Sequence, residues 1–502
     1  MTIIMKALNN NSRMLFLSMV AVLFMTSCGT DWLDIKPLGR FTEDDLPTGS
    51  LEEHVFAAYA ALRSEGTSGL QYVGLHNIRS DDANLGSNDN DYAVGGPIYD
   101  NFNYSLTHWY APDYWTGHYG LINRANNVLS AADSLDNLTA GTLTNIAEAK
   151  FLRAWAYFNL VRTFGEVPII DFRITDQASA NRPKSTIPKI YELIDSDLQD
   201  AVTNLPDTWV GFAGRLTRGA ALALRTKTLM ARHRYAEALI SAQAVMSSGV
   251  YDLSVPYDMI FREESENSKE SIFEIQAYYD GVQNFGVTYA SRQGVRGSGQ
   301  WDLGWGFNVP NERLLNAFEP GDPRREATVL FSGQLNTPYG EVLPSGLPRP
   351  YYNKKVYTNP ALRTKYGSRM GQWFNVRIIR YADIVLLAAE AANEVGGEAN
   401  TDLALEYLEM VRARARGNNN AILPEVTTQD QEQLRQAIRH ERQVELGMEN
   451  ERFYDLIRWG IDVQTMQAAG HTTYQAKHRF YPIPQVEIDR SGGVLVQNPD
   501  YL

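Results

Sequence analysis

Apolar residues recur at helical spacing along most of this chain, and the stretches are separated by turn-forming residues, which predicts a mainly helical fold. Leu51, Val55, Ala58, Tyr59 and Leu62 share one face behind the capping box Ser50-Leu-Glu-Glu53. The same spacing predicts helices over residues 114–132, 145–164 and 190–205. The second of these carries Phe151, Leu152, Trp155, Phe158, Leu160 and Val161, is apolar nearly all round, and therefore belongs in the core; Gly165 and Pro168 end it. Residues 219–246 break at His233-Arg234-Tyr235 into two helices with a small-residue seam, a helical hairpin of tetratricopeptide type. From 251 to 373 the periodicity fades except over 311–318, and glycine, proline and aromatics scatter. Such a stretch reads as short strands and loops packed on a scaffold, where function concentrates. Helices return over 380–395, 402–416 and 428–449, the last behind a capping box Thr428-Gln-Asp-Gln431, and the tail from Tyr481 to Tyr501 reads as extended. The expected fold is all-α: a tetratricopeptide-like helical-pair scaffold with a large irregular, loop-rich insertion, one body over residues 50–502.

The N-terminus follows a different pattern. Lys6 and Arg13 are the only charges before an apolar run from Met14 to Met25, which Thr26-Ser27-Cys28 follows. A basic start, a short apolar run and small residues before a cleavage point make a secretory signal. The run is shorter than the ~20 apolar residues a bilayer span needs. Cys28 is the only cysteine of the chain, with serine before it and glycine after it, as in bacterial lipoprotein signals. Residues 1–27 are thus expected to be a signal peptide, Cys28 the lipid-attachment residue, and 28–49 a tether. A lipidated Cys28 leaves no thiol for an internal disulfide.

Charge narrows the function classes. The formal net charge is −13 and no basic run occurs, which disfavours nucleic acid and anionic headgroups as partners. Tyrosine outnumbers phenylalanine, 27 to 19, so many rings carry a polar handle suited to a sugar or peptide surface as well as to a core. No nucleophile elbow, phosphate loop, zinc-protease helix or dinucleotide fingerprint is found, and no cofactor or metal is expected.

Three groups of residues could carry chemistry. Glu441, Glu445 and Glu449 recur at i, i+4 and i+8 among Arg439, Arg442, Arg452 and Arg458. They read as an ion-pair lattice, with a paired-carboxylate glycosidase site at Glu441 and Glu445 as the alternative. Asp81-Asp82, Asn84 and Asn88-Asp-Asn-Asp91-Tyr92 form a polar stretch that lacks the calcium-loop pattern; its amides and carboxylates suit sugar hydroxyls. Aromatics cluster in Trp301-Asp-Leu-Gly-Trp305-Gly-Phe307, Tyr278-Tyr279 and Tyr289, and again between Tyr92 and Tyr110. An aromatic face packs on the C–H face of a sugar while neighbouring polar groups bind its hydroxyls. The candidate ligand-binding residues are Trp301, Tyr279, Tyr289, Tyr92, Trp109, Asn103 and Asp82.

Ala149-Lys-Phe-Leu-Arg-Ala-Trp-Ala-Tyr-Phe-Asn-Leu-Val-Arg-Thr-Phe-Gly-Glu-Val-Pro168 resembles the signature helix of the SusD/RagB family of nutrient-binding outer-membrane lipoproteins. The resemblance continues in order through Tyr114–Asn126, Gly214–Ala220, Gly304-Trp-Gly306 with Asp322-Pro-Arg324, Arg380–Glu390, Glu441–Gly460 and Tyr481-Pro-Ile-Pro484 with Gln497-Asn-Pro499. It implies an N-terminal SusD-like region over about 28–215 and a C-terminal RagB/SusD region over about 270–502. It further implies a non-catalytic, surface-exposed outer-membrane protein that captures a glycan or other oligomeric nutrient for a SusC-like TonB-dependent transporter. It transfers no sugar-contacting residue. Two other readings stand beside it: a surface glycosidase, and a helical scaffold with protein partners only. Gly-Thr-Asp after Cys28 lacks an acidic cluster, which leaves the facing of the anchor open.

Overall fold

The computed structural model describes residues 51–501, so the signal, Cys28 and the tether lie outside the described residues. The principal helices are α1 (Leu51–Ala61), α2 (Asp89–Tyr99), α3 (Tyr110–Ala132), α4 (Ala140–Phe164), α5 (Ile187–Asn204), α6 (Arg218–Met230), α7 (Tyr235–Met246), α8 (Tyr381–Val395), α9 (Glu398–Arg416), α10 (Gln431–Glu445) and α11 (Arg452–Arg458). Among the described residues, eight short strands pair into two-stranded antiparallel sheets: β1 (Ala83–Gly86) with β5 (Phe307–Pro310), β2 (Ser271–Ile275) with β8 (Val376–Arg380), β3 (Tyr278–Tyr279) with β4 (Asn284–Phe285), and β6 (Val329–Phe331) with β7 (Tyr351–Asn353). No described helix is long and apolar enough to cross a membrane.

The scaffold is the series of helical pairs that the apolar spacing predicts. Helix α4 packs against α3 and α5, α6 against α7, and α8 against both α7 and α9. One continuous core joins Phe151, Trp155 and Phe158 of α4 to Leu224 of α6 and Leu386 of α8. Helix α4 starts at Ala140, five residues before the expected start, with Thr139 capping it by accepting from Thr142 N–H. The hairpin break lies where expected: α6 ends at Met230, and His233 takes a positive φ of 59° before α7 begins.

The structure differs from the expectation at three places. The helix expected over 428–449 is two: Met448 and Asn450 take φ of 68° and 70°, which ends α10 at Glu445 and lets α11 start at Arg452. Its cap is Asp430, which accepts from Gln433 N–H, rather than Thr428. The polar stretch 88–92 is the start of α2, capped by Asn88. The tail holds a short helix, Gln485–Arg490, behind Pro484.

Candidate binding surface

The glutamates of α10 are interior. Glu441 and Glu445 are both 0 % exposed. Glu441 takes Arg324 at 2.5 Å and Arg412 at 2.8 Å; Glu445 takes Arg414 at 2.5 Å, Arg380 at 3.1 Å and Arg324 at 3.2 Å. Arg380 also pairs with Glu270 and with Glu449, and Lys355 reaches Glu449 at 2.5 Å. Burial alone would raise the Glu445 carboxyl, but the guanidiniums of Arg414, Arg380 and Arg324 outweigh it and hold the group at about 2. The lattice exists, but its partners are not the expected ones. Arg442 and Arg458 serve Asp455, Asp383 and Glu390; Arg452 holds Asp81 at 2.8 Å; Arg439 lies over the Trp459 ring. The carboxylates project from α10 into helix α9, β8 and the Pro323–Thr328 helix, so arginines far along the chain meet them first.

The expected ligand-binding residues divide by position. Asp82 is fully buried, accepts from Gln443 at 2.6 Å and lies 3.6 Å from Arg452, so it faces the interior. Tyr289 is also interior, its hydroxyl accepting from Asn450 at 2.9 Å. Neither side chain offers a surface to a ligand. Trp301 is half-buried in a small cluster with Val295, Leu303, Val309 and Tyr352. Tyr279 packs with Tyr366 and Trp373 at the β3–β4 hairpin. Asn103 is exposed just beyond α2, where Phe102 anchors the chain against the Tyr474 ring at 4.7 Å. Tyr92 and Trp109 are exposed, at 37 % and 47 %.

Trp305, in the same aromatic motif as Trp301, is also exposed, at 39 %. The β1–β5 register explains why Trp305 and the start of α2 are neighbours. Gly86 pairs with Phe307, so the chain leaving β1 passes beside Gly306, and Ser87 N–H donates to the Gly306 carbonyl at 2.5 Å. Trp305 and Gly306 are stitched to the loop before them by N–H bonds to Ser291 and Gly294 carbonyls, each 2.8 Å. A side chain on Gly304 would stand 2.3 Å from the Ser291 carbonyl oxygen, and one on Gly306 would meet Arg296 at 2.6 Å. The two glycines are therefore the signal that singles out Trp305: they let backbone approach backbone and push the indole outward.

Charged side chains hold the rings in place. Arg296 lies 4.8 Å over the Trp305 ring and 3.4 Å from Asp91, which also accepts from Ser87 Oγ at 2.6 Å. Arg292 lies 5.7 Å over the same ring and donates to Glu65 at 2.8 Å. Burial works to raise the Glu65 carboxyl, but hydrogen bonds from Arg292 and Thr288 outweigh it and hold it low. Arg349 crosses the Tyr92 ring at 5.6 Å and donates to the Ser87 carbonyl at 2.8 Å. Trp109 packs at a tilt on Tyr110 with centroids 4.0 Å apart, and Tyr110 in turn packs on Tyr99 of α2. The result is a surface with exposed ring faces and carboxylate, hydroxyl and guanidinium groups between them. Among the described residues, no group of three or more histidine, cysteine, aspartate or glutamate side chains gathers as metal ligands would.

Two expected outcomes arise directly. Gly86 has φ of +77°, and a Cβ there would stand 2.5 Å from the Gly306 carbonyl oxygen. Gly86→Ala is expected to cost about 1–3 kcal/mol in chemical denaturation, as for a residue forced into a disfavoured backbone region.

The second concerns pH. Asp100, buried under α2 and accepting from Leu85 N–H, is pushed by burial up to about 7, as is Asp82 by burial and by Asp81 beside it. The folded protein then keeps protons that the unfolded chain releases near pH ~4. These two groups make stability fall as pH rises from about 4 to about 7. Melting temperatures across that window should show the fall, and Asp100→Asn should flatten it.

These features define a helical-repeat scaffold that carries exposed aromatic side chains on loops beside a two-stranded sheet. Known proteins agree. The SusD family model matches residues 269–501, and a model described as starch-binding and associating with the outer membrane matches residues 40–229. The chain belongs to the SusD/RagB family. It is 27 % identical to SusD-like protein P2 of Formosa agariphila, over 96 % of this chain and 98 % of that one. Among solved structures, a laminarin-binding SusD-like protein is similar with a TM-score of 0.75 and 27 % identity, over 90 % of this chain and 99 % of that one. Surface glycan-binding protein A from Bacteroides thetaiotaomicron, solved in complex with laminarihexaose, is similar with a TM-score of 0.74 and 26 % identity, over 89 % and 98 %.

Proposed function

We propose that this protein is a non-catalytic lipoprotein of the outer-membrane surface that captures oligosaccharide and hands it to a SusC-like TonB-dependent transporter. The observation that carries the reading is the exposed face of Trp305, Tyr92 and Trp109, its rings backed by Arg296, Arg292 and Arg349. Sugar rings would lie on the aromatic faces, and Asp91, Asn88 and the arginines would take the hydroxyls. The laminarin ligands of the two similar solved proteins make β-glucan oligosaccharides the first ligands to try. Calorimetry against a panel of β-glucan, α-glucan and peptide ligands tests this. Saturable heat with a glycan supports it, and silence with every member of the panel overturns it.

Against the glycosidase alternative stands the burial of Glu441 and Glu445, each held by at least two guanidiniums. A glycosidase needs two carboxyl groups flanking an accessible bond. The anchor is Cys28, acylated after removal of residues 1–27. Acyl chains bury at ~0.8 kcal/mol per CH₂, so two or more hold the protein firmly. Cys28→Ala is expected to abolish labelling by a fatty-acid analogue in cells while the purified protein binds glycan unchanged. Retained labelling would place the lipid elsewhere.

A further inference from the structure

A cavity of about 590 Å³ lies apart from the aromatic face, between α4, α5, α6 and α11, with α8 behind it. Its size falls within the range of small-molecule sites, about 300–1,000 Å³. Phe158, Val161, Met230, Leu387 and Ile457 give it an apolar lining. Six arginine or lysine side chains and four carboxylates also border it, in a chain whose formal charge is −13.

Most of those charges are committed to one another. Asp195 holds Arg232 through two 2.7 Å hydrogen bonds and reaches Arg234. Lys227 lies between Asp383 at 2.6 Å and Glu451 at 2.9 Å. Arg442 and Arg458 share Asp455. Glu192 stands exposed at the mouth. Arg162 is the exception. It sits between the Phe158 and Tyr454 rings at 4.7 and 4.3 Å, and its Nη2 donates to Asn159 at 2.7 Å and lies 3.3 Å from His76 Nδ1. Arg162 lines the cavity; its Nε is enclosed without a partner, its Nη1 makes no hydrogen bond among the described residues, and Glu451 acts on it only at a distance, without a salt bridge. A guanidinium left with an unfilled edge beside an apolar cavity is a preorganised receptor for one carboxylate.

We infer that this cavity binds a small amphipathic carboxylate, its apolar body against Val161, Met230, Leu387 and Ile457 and its carboxylate on the free edge of Arg162. The ligand carries no more than one negative charge, because Glu451 and Asp455 also line the cavity and Glu451 already acts on Arg162. This site is independent of the glycan surface, and either can fail alone.

Calorimetric titration of the full mature chain with sodium octanoate, and with 1-octanol as the uncharged counterpart, tests the inference. Octanoate should bind saturably, one per chain, at least tenfold more tightly than octanol. Arg162→Gln should lose that tenfold preference while retaining octanol binding and glycan binding, the latter reporting an intact fold. Should Arg162→Gln not fold, the octanoate-to-octanol ratio of the unmodified protein still decides. Non-saturable uptake, equal affinity for the two probes, or octanoate binding unchanged in Arg162→Gln overturns the inference.

Discussion

Glu445→Ala is expected to destabilise the protein by about 3–5 kcal/mol, the range seen when one partner of a buried charge pair is removed. Three guanidiniums, of Arg414, Arg380 and Arg324, lie 2.5–3.2 Å from this carboxylate, and none of them reaches solvent freely. Deleting the carboxylate leaves those charges facing one another in a region of weak screening, and it adds a void. Chemical denaturation should show the loss as a lower midpoint. The contribution also has a pH signature. Because the folded group titrates at about 2, its stabilisation is complete above the unfolded value of ~4.3 and is lost as pH falls toward 2. This is opposite in sense to Asp100 and Asp82. A catalytic carboxylate would behave otherwise: its removal would abolish turnover and leave stability little changed.

The second large effect is on binding. Trp305→Ala is expected to weaken glycan affinity by about thirtyfold or more, the fold-change that corresponds to the ≥2 kcal/mol of an interface hot spot. Trp305 is 39 % exposed, lies parallel to the buried Phe307 ring with centroids 6.4 Å apart, and has two arginines over its indole. Stability should change little, because the ring is 39 % exposed and the segment is held by backbone hydrogen bonds rather than by the side chain. Trp301→Ala should show the converse, since that indole packs with Val295, Leu303 and Tyr352. It should lower stability and leave affinity nearly intact. The pair of variants separates a ring that recognises from a ring that packs.

The helical scaffold was legible because burial writes itself into apolar spacing. Helix α4 and the α6–α7 hairpin follow directly from positions such as Phe151, Trp155, Leu224 and Ala238. Helix α2 was not legible: Asp89-Asn-Asp-Tyr-Ala-Val-Gly-Gly-Pro-Ile-Tyr99 contains two glycines and a proline, the composition of a loop. The glycines are there because a side chain on Gly95 would strike Leu85 at 2.7 Å and one on Gly96 would strike the Tyr92 ring at 2.8 Å. The Leu85 contact is a tertiary fact which no local propensity contains; the Tyr92 contact is crowding within α2 itself.

The ion lattice shows the same division. Stacked glutamates at i and i+4 announce that cations must be near, but Arg324, Arg380, Arg412 and Arg414 come from other parts of the chain. The aromatic surface was half legible. The motif around Trp301 and Trp305 marked the right segment, yet spacing cannot distinguish an indole turned inward from one turned outward. Asp82 was misread for a related reason: a run of aspartates looks solvated, whereas here Arg452 and Gln443 draw it into the interior.

The position of a bound glycan decides whether the aromatic rings form the binding surface. A crystal structure of the protein with the tightest-binding oligosaccharide of the calorimetric panel tests this most directly. A sugar ring within about 4.5 Å, the reach of a packing contact, of the Trp305 or Tyr92 ring is the predicted result. Sugar density on another face, with Trp305 and Tyr92 bare, would contradict it.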